Sequence, residues 1–161
     1  MVDFIFSPWE ALGTGGSMLK AYHGSCHCKK VQFDVNLDVS RGIHKCNCTY
    51  CVKTKYQKVF TKADQLTLKT GEDSLTNYHA SPSGWPEGHI HHYFCKNCGV
   101  QVYSKGYLEM PEHDIFNGWF YAVNLATIDD VTPEEIIFAP VIYEDGINDN
   151  QLNPPKETRH L

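Results

Sequence analysis

The sequence predicts a mainly β domain of antiparallel sheets with short helical turns. Three observations carry that expectation: apolar residues alternate with polar ones over most of the chain, turn formers punctuate the alternating runs, and helix signals are few. The alternation is clearest at Val31, Phe33, Val35 and Leu37, whose spacing of two places all four side chains on one face of a half-buried strand.

Shorter runs repeat the pattern at Leu66-Thr67-Leu68, Leu75 to Tyr78, Ile90 to Phe94, Val100 to Tyr103 and Phe120 to Leu125. Thr70-Gly71-Glu72 and Ser81-Pro82-Ser83-Gly84 separate some of these runs, and turns this short join neighbouring strands head to tail. One helix start is legible: Thr132 as N-cap, Pro133 at the first helical position and Glu135 as the capping carboxylate. Pro140 limits it to a turn or two. Residues 1–20, with Gly13-Thr14-Gly15-Gly16-Ser17, read as a flexible lead-in, and residues 21–146 as one domain. Residues 147–161, with Asn148-Asp149-Asn150 and Pro154-Pro155, read as an extended or disordered tail.

At 161 residues and 42% apolar content the chain has material for a single core. A formal charge of -5 provides no general basic field, so nucleic acid is not the expected partner. Met1 to Glu10 has no positively charged leader, and Pro8 and Glu10 interrupt its apolar stretch. No run approaches the ~18 apolar residues that span a bilayer. The expectation is an intracellular protein without a membrane segment, in the cytoplasm or alternatively the nucleus, where disulfides are rare.

Seven cysteines then need another role, and they fall into three groups: Cys26-His27-Cys28, Cys46-Asn47-Cys48-Thr49-Tyr50-Cys51 and Cys95-Lys96-Asn97-Cys98-Gly99. Tetrahedral zinc takes four soft ligands, and two cysteine pairs from distant segments are a common way to supply them. Cys95 and Cys98 have the spacing of a metal-binding turn, with Gly99 free to adopt the left-handed backbone that closes it. Cys26 and Cys28 require a turn or bulge to converge. If those two pairs join, the first site is a closed four-thiolate zinc, and Cys46, Cys48 and Cys51 remain as three ligands with one open position, giving two zinc ions per chain. The alternatives are disulfides, opposed by the odd number of thiols; a redox pair at Cys95 and Cys98, opposed by the lack of strand-helix alternation; and a second structural zinc completed by a histidine, with His44 the obvious candidate, or by an Asp or Glu.

Between Arg41 and Lys62 the chain carries Arg41, Lys45, Lys53, Lys55, Lys58 and Lys62 with no carboxylate. This is either a solvated loop or a positive setting that attracts an anionic thiol to the three-cysteine site. Lys45, Lys53, Lys55 and Tyr50 are the candidate substrate contacts. Tyr56 is a further pocket candidate, with packing as the alternative, and His92 is expected to be a hydrogen-bonded support.

The ordered series Gly24-Ser25-Cys26-His27-Cys28, Cys46-Asn47-Cys48-Thr49-Tyr50-Cys51, Gly71-Glu72-Asp73-Ser74-Leu75, His92 to Val100 and Val123-Asn124-Leu125 resembles the glutathione-dependent formaldehyde-activating enzyme family, which includes the centromere protein V group. The resemblance spans about Ala21 to Asp130. It implies a β-tent fold, a structural zinc at Cys26, Cys28, Cys95 and Cys98, and a second, catalytic zinc at Cys46, Cys48 and Cys51. It further implies glutathione as the thiol, formaldehyde as the aldehyde and a carbon-sulfur lyase reaction. The connection from Tyr78 to His92, through Trp85, is longer than the family's short tip and points to a different substrate if it overhangs the open site. The rival reading is a non-catalytic zinc module that binds a protein or chromatin partner through the basic segment and the Trp85 loop.

Overall fold

The computed structural model describes residues 18–80 and 83–161. Most of the expected lead-in, and Ser81-Pro82 of one expected turn, lie outside the described residues. Among the described residues, ten strands form two sheets. The small sheet has the order β1-β2-β5, with β1 Lys20–Ser25, β2 Gln32–Leu37 and β5 Leu66–Thr70 all antiparallel. The large sheet contains β3 Ile43–Cys46, β4 Gln57–Lys62, β6 Leu75–Tyr78, β7 Ile90–Cys95, β8 Gln101–Glu109, β9 Asn117–Asn124 and β10 Val141–Glu144, in the order β10-β3-β4-β9-β8-β7-β6.

The protein is thus mainly β and antiparallel, with one exception. β10 runs parallel to β3, pairing Val141 with Ile43 and Glu144 with Cys46. Parallel neighbours need a long crossover. Here the chain leaves β9 and passes through the helix α2, Pro133–Phe138, before reaching the edge of β3. α2 has the expected capping box: Thr132 Oγ accepts from Glu135 N, and Thr132 N donates to the Glu135 carboxylate. The Glu135 carboxylate, also bonded to Lys20 and Tyr22, ties the helix to β1.

The alternating residues of β2 face inward as expected: Phe33, Val35 and Leu37 are buried while Gln32 is exposed. They meet Val59, Val102, Tyr103 and Val123 of the large sheet, and the rings of Phe33 and Tyr103 cross edge to face at 5.5 Å. Each such fully buried apolar side chain stabilises the fold by about 1.5–3 kcal/mol.

The register of the large sheet explains its other face. Val59, Val123, Tyr103 and Tyr93 are paired in sequence across β4, β9, β8 and β7, and they look into the core. The next row is Phe60, Ala122, Ser104 and His92. Because successive side chains point to opposite faces, this second row lies on the reverse of the sheet. It forms the floor beneath Cys46 and Cys51.

Candidate metal centres

The four thiols Cys26, Cys28, Cys95 and Cys98 converge, with all sulfurs within 4.8 Å of one another. Two matched turns bring them there. After β1 the chain turns so that Lys29 N donates to Cys26 O and Cys26 N to Val31 O, with Lys29 itself at a φ of 62°. After β7, Gly99 N donates to Cys95 O and Cys95 N to Val100 O, and Gly99 takes the left-handed φ of 74°. That is the turn expected at Cys26-Cys28 and the glycine conformation expected after Cys98.

The donor set fits a tetrahedral metal. Zinc-sulfur bonds of about 2.3 Å put the corners of a tetrahedron about 3.8 Å apart. The separations are 3.6 Å between Cys26 and Cys28 and 3.7 Å between Cys28 and Cys95. Cys26 and Cys95 are fully buried, so the centre lies inside the fold.

Cys46, Cys48 and Cys51 form a second group, again with sulfurs within 4.8 Å. Cys46 ends β3, and Cys48 is the N-cap of α1, Thr49–Thr54, accepting from Cys51 N at 3.5 Å. Cys48 is held well below the usual thiol range: it receives hydrogen bonds from the Cys46 and Cys51 thiols, which outweigh its burial, and Cys51 N and Lys58 add to them. Cys51 is pushed up by its bonds to Cys46 and Cys48 and by burial. A soft metal that takes thiolates suits this tripod.

A segment from the far end of the domain walls the tripod. Asn47 N donates to Glu144 O, Asn47 Nδ2 to Asp145 Oδ1 at 2.6 Å, and Ile147 N to Asn47 Oδ1 at 3.0 Å. Gly146 lies so close that a Cβ there would sit 2.5 Å from the Cys46 sulfur. Only a residue without a side chain fits that approach.

Beside the tripod is a buried ionic group. Glu144 accepts from Lys58 Nζ through one carboxylate oxygen and bonds His44 Nδ1 at 2.8 Å through the other. Burial alone would lower the Lys58 pKa, but Glu144, Cys51 and Cys46 more than reverse this and keep the ammonium charged. Burial would likewise raise Glu144, and the charge of Lys58 with the His44 bond outweighs it, holding the carboxylate ionised.

His44, the sequence candidate for a fourth ligand, stands outside the three-sulfur group: it bonds Glu144 and packs edge to face on Phe60 at 4.8 Å. His92 belongs to the floor of the second group, with its Nδ1 2.7 Å from Ser104 Oγ and its ring stacked on Tyr50. Tyr56 is buried and bonded to Ala122 O and Ser104 Oγ. Trp85 packs with Ile115, Phe116 and Phe120, with Phe60 and Leu108 in the same cluster.

The basic segment divides. Arg41 forks onto Asp114 at 3.0 and 3.1 Å, and Lys58 is buried in its ion pair. Lys53 and Lys62 are exposed. Lys45 and Lys55 reach the C-terminal segment instead: Lys45 Nζ donates to Leu161 O at 3.2 Å and Lys55 Nζ to His160 O at 2.6 Å. Residues 149–161 contain no helix or strand, yet they return to the domain. No helix among the described residues is long and apolar enough to cross a membrane.

Sequence reasoning missed Glu144, Gly146 and the pairing of Lys58. Only the parity of β4, which puts Lys58 on the same face as Phe60, could have signalled the last.

A crystal structure of a Rhodobacter sphaeroides protein, solved as a structural-genomics target, is similar in fold: the TM-score is 0.55 at 22% identity, over 74% of this chain and 98% of that one. A family model described as glutathione-dependent formaldehyde-activating enzyme matches residues 21–141, which include all seven cysteines. The chain belongs to the glutathione-dependent formaldehyde-activating enzyme family.

Proposed function

We propose that the chain joins a thiol to a small aldehyde at the Cys46, Cys48 and Cys51 centre, with glutathione and formaldehyde as the pair and zinc as the resident metal of both centres. The observation that carries this reading is the unequal donor count, four sulfurs in one group and three in the other, with His44 committed to Glu144. A zinc ion held by the three cysteines would keep one ligand position open and favour the thiolate form of a sulfur bound there.

In the reaction the thiol loses its proton, the sulfur lone pair forms a bond to the aldehyde carbon, and the carbonyl π electrons move to oxygen, which takes up a proton. The product is a hydroxymethyl thioether, and its reverse cleavage is a carbon-sulfur lyase reaction. The chain's residues serve this chemistry by position. Lys58, fixed by Glu144, brings positive charge to the sulfurs. Tyr50 and His92 form a flat aromatic wall, and Lys45 and Lys55 supply cationic ends for an anionic thiol. His92 is not a proton carrier at neutral pH, because burial pushes its pKa down to about 4. The corresponding setting is intracellular, in the cytoplasm or alternatively the nucleus.

Zinc stoichiometry by native mass spectrometry, with and without glutathione, tests the reading on the intact protein and on Cys48→Ala. Two zinc ions, one of them lost in the variant and perturbed by glutathione, is the expected result. A single zinc indifferent to both changes would overturn it and leave a non-catalytic zinc module.

A further inference from the structure

The C-terminal segment lies beyond the region shared with the family, which ends at residue 141, and it meets the three-cysteine centre at its two cationic residues. Leu161 shares a cavity of about 60 Å³ with Cys46, Cys51, Lys45, Lys55 and Tyr56. Drug-sized ligands occupy pockets of roughly 300 Å³ or more. That cavity therefore does not hold a peptide-sized thiol while Leu161 is in place.

The contacts that hold the segment are replaceable. Lys55 donates to the main-chain carbonyl of His160, a neutral acceptor, whereas a carboxylate accepts from an ammonium about twice as strongly. Two features keep the segment near without anchoring it. Pro154-Pro155 is a stiff spacer that limits the conformations to be lost on closing. Beyond it, Leu161 N donates to Thr158 O at 3.0 Å, and Arg159 pairs with Glu157, so the end is a local turn that presents its carbonyls together. Lys55 takes the left-handed cap position of α1, with φ of 54°, at the end of the helix that carries Cys51.

We propose that Lys45 and Lys55 form the seat for the carboxylates of the thiol ligand, and that residues 156–161 are a displaceable strap that fills the seat until such a ligand arrives. This rests on the thiol-binding reading above. The strap lowers the affinity of thiols that occupy the seat, and a carboxylate reclaims the seat because it is a stronger acceptor for Lys55 than the His160 carbonyl; a thiol small enough to leave the seat alone does not meet the strap.

Calorimetric titration of the zinc-loaded protein with glutathione and with 2-mercaptoethanol tests this on three chains: the full chain, a chain lacking residues 156–161, and the full chain with Pro154→Gly and Pro155→Gly. If the strap is closed nine-tenths of the time, its removal tightens glutathione about tenfold. The glycine variant falls between, and 2-mercaptoethanol changes less than about twofold. Unchanged or weakened glutathione binding, or equal tightening of both thiols, overturns the strap. Glutarate, a dicarboxylate without sulfur, separates this from the functional reading. If neither thiol binds any of the chains, the thiol reading falls, and glutarate binding to the shortened chain but not the full chain upholds the strap. Equal glutarate binding to both overturns it.

Discussion

The ring of Tyr50 lies flat on the ring of His92, with centroids 3.8 Å apart and planes within 18°. Tyr50 is on the helix that carries Cys51, and His92 is on the floor of the large sheet, so this stack fixes the three-cysteine centre to the fold. Tyr78 extends it, 6.0 Å from Tyr50. Ser104 Oγ joins this stack to the sheet, within hydrogen-bond reach of His92 Nδ1, Tyr56 OH and Gln101 Nε2.

That arrangement makes stability depend on pH in a defined direction. An unfolded histidine takes up its proton near 6.5, whereas folded His92, desolvated, resists until about 4. The stability it contributes is complete above pH 6.5 and is lost as the pH falls towards 4. His92→Gln should flatten this dependence, reducing the loss between pH 7 and pH 5 by about 1–2 kcal/mol. Parallel urea-unfolding midpoints for the two proteins across that range would refute the assignment.

The two centres should differ in their hold on the fold. Cys98→Ala should unfold the domain, since a structural zinc contributes ~10 kcal/mol or more. Cys48→Ala should leave the sheets intact. Far-ultraviolet circular dichroism and amide dispersion in NMR spectra read both. A folded Cys98→Ala protein would mean that the structural and open roles are exchanged.

Lys58 and Glu144 should be strongly coupled. Removing one partner leaves the other charge buried, so Lys58→Met or Glu144→Gln alone should cost about 3–5 kcal/mol. The double variant should cost less than the sum of the singles by about 1–3 kcal/mol. Additive losses in denaturant unfolding would show that the two do not act as a pair.

Gly146→Ala should act on the tripod alone. The new methyl would lie 2.5 Å from the Cys46 sulfur and 3.1 Å from Cys48 Cβ, so the ligand loop has to shift. The expected result is retention of one zinc per chain in place of two, with a stability loss of about 1 kcal/mol, as is typical of a single substitution. Full zinc content at the wild-type affinity would show that the loop yields without cost.

Much of this was legible before any coordinates. β2 and β6 follow from alternation, α2 from its capping box, and the division of cysteines into four and three from spacing. β3 and β4 were hidden because their lysines and histidine resemble a charged loop. They are strands because one face meets the core through Ile43 and Val59 while the other holds His44 and Lys58 against Glu144. β10 gave no signal, since a four-residue parallel strand is defined by its partner and not by a local turn. The return of the tail to Lys45 and Lys55 was equally silent: it uses backbone carbonyls, which every sequence has.

The wall that β10 and Gly146 raise beside Cys46 has a consequence for how the protein is made. His44 and its partner Glu144 are 100 residues apart, and the three thiols between Cys46 and Cys51 leave the ribosome early. At ~5–20 residues per second, the interval before the wall is synthesised is roughly 5–20 s. The four-sulfur centre has all its ligands once Cys98 has emerged. The tripod stays uncovered for longer, open to a thiol-seeking metal or to an oxidant until Gly146 has been made and β10 has paired with β3.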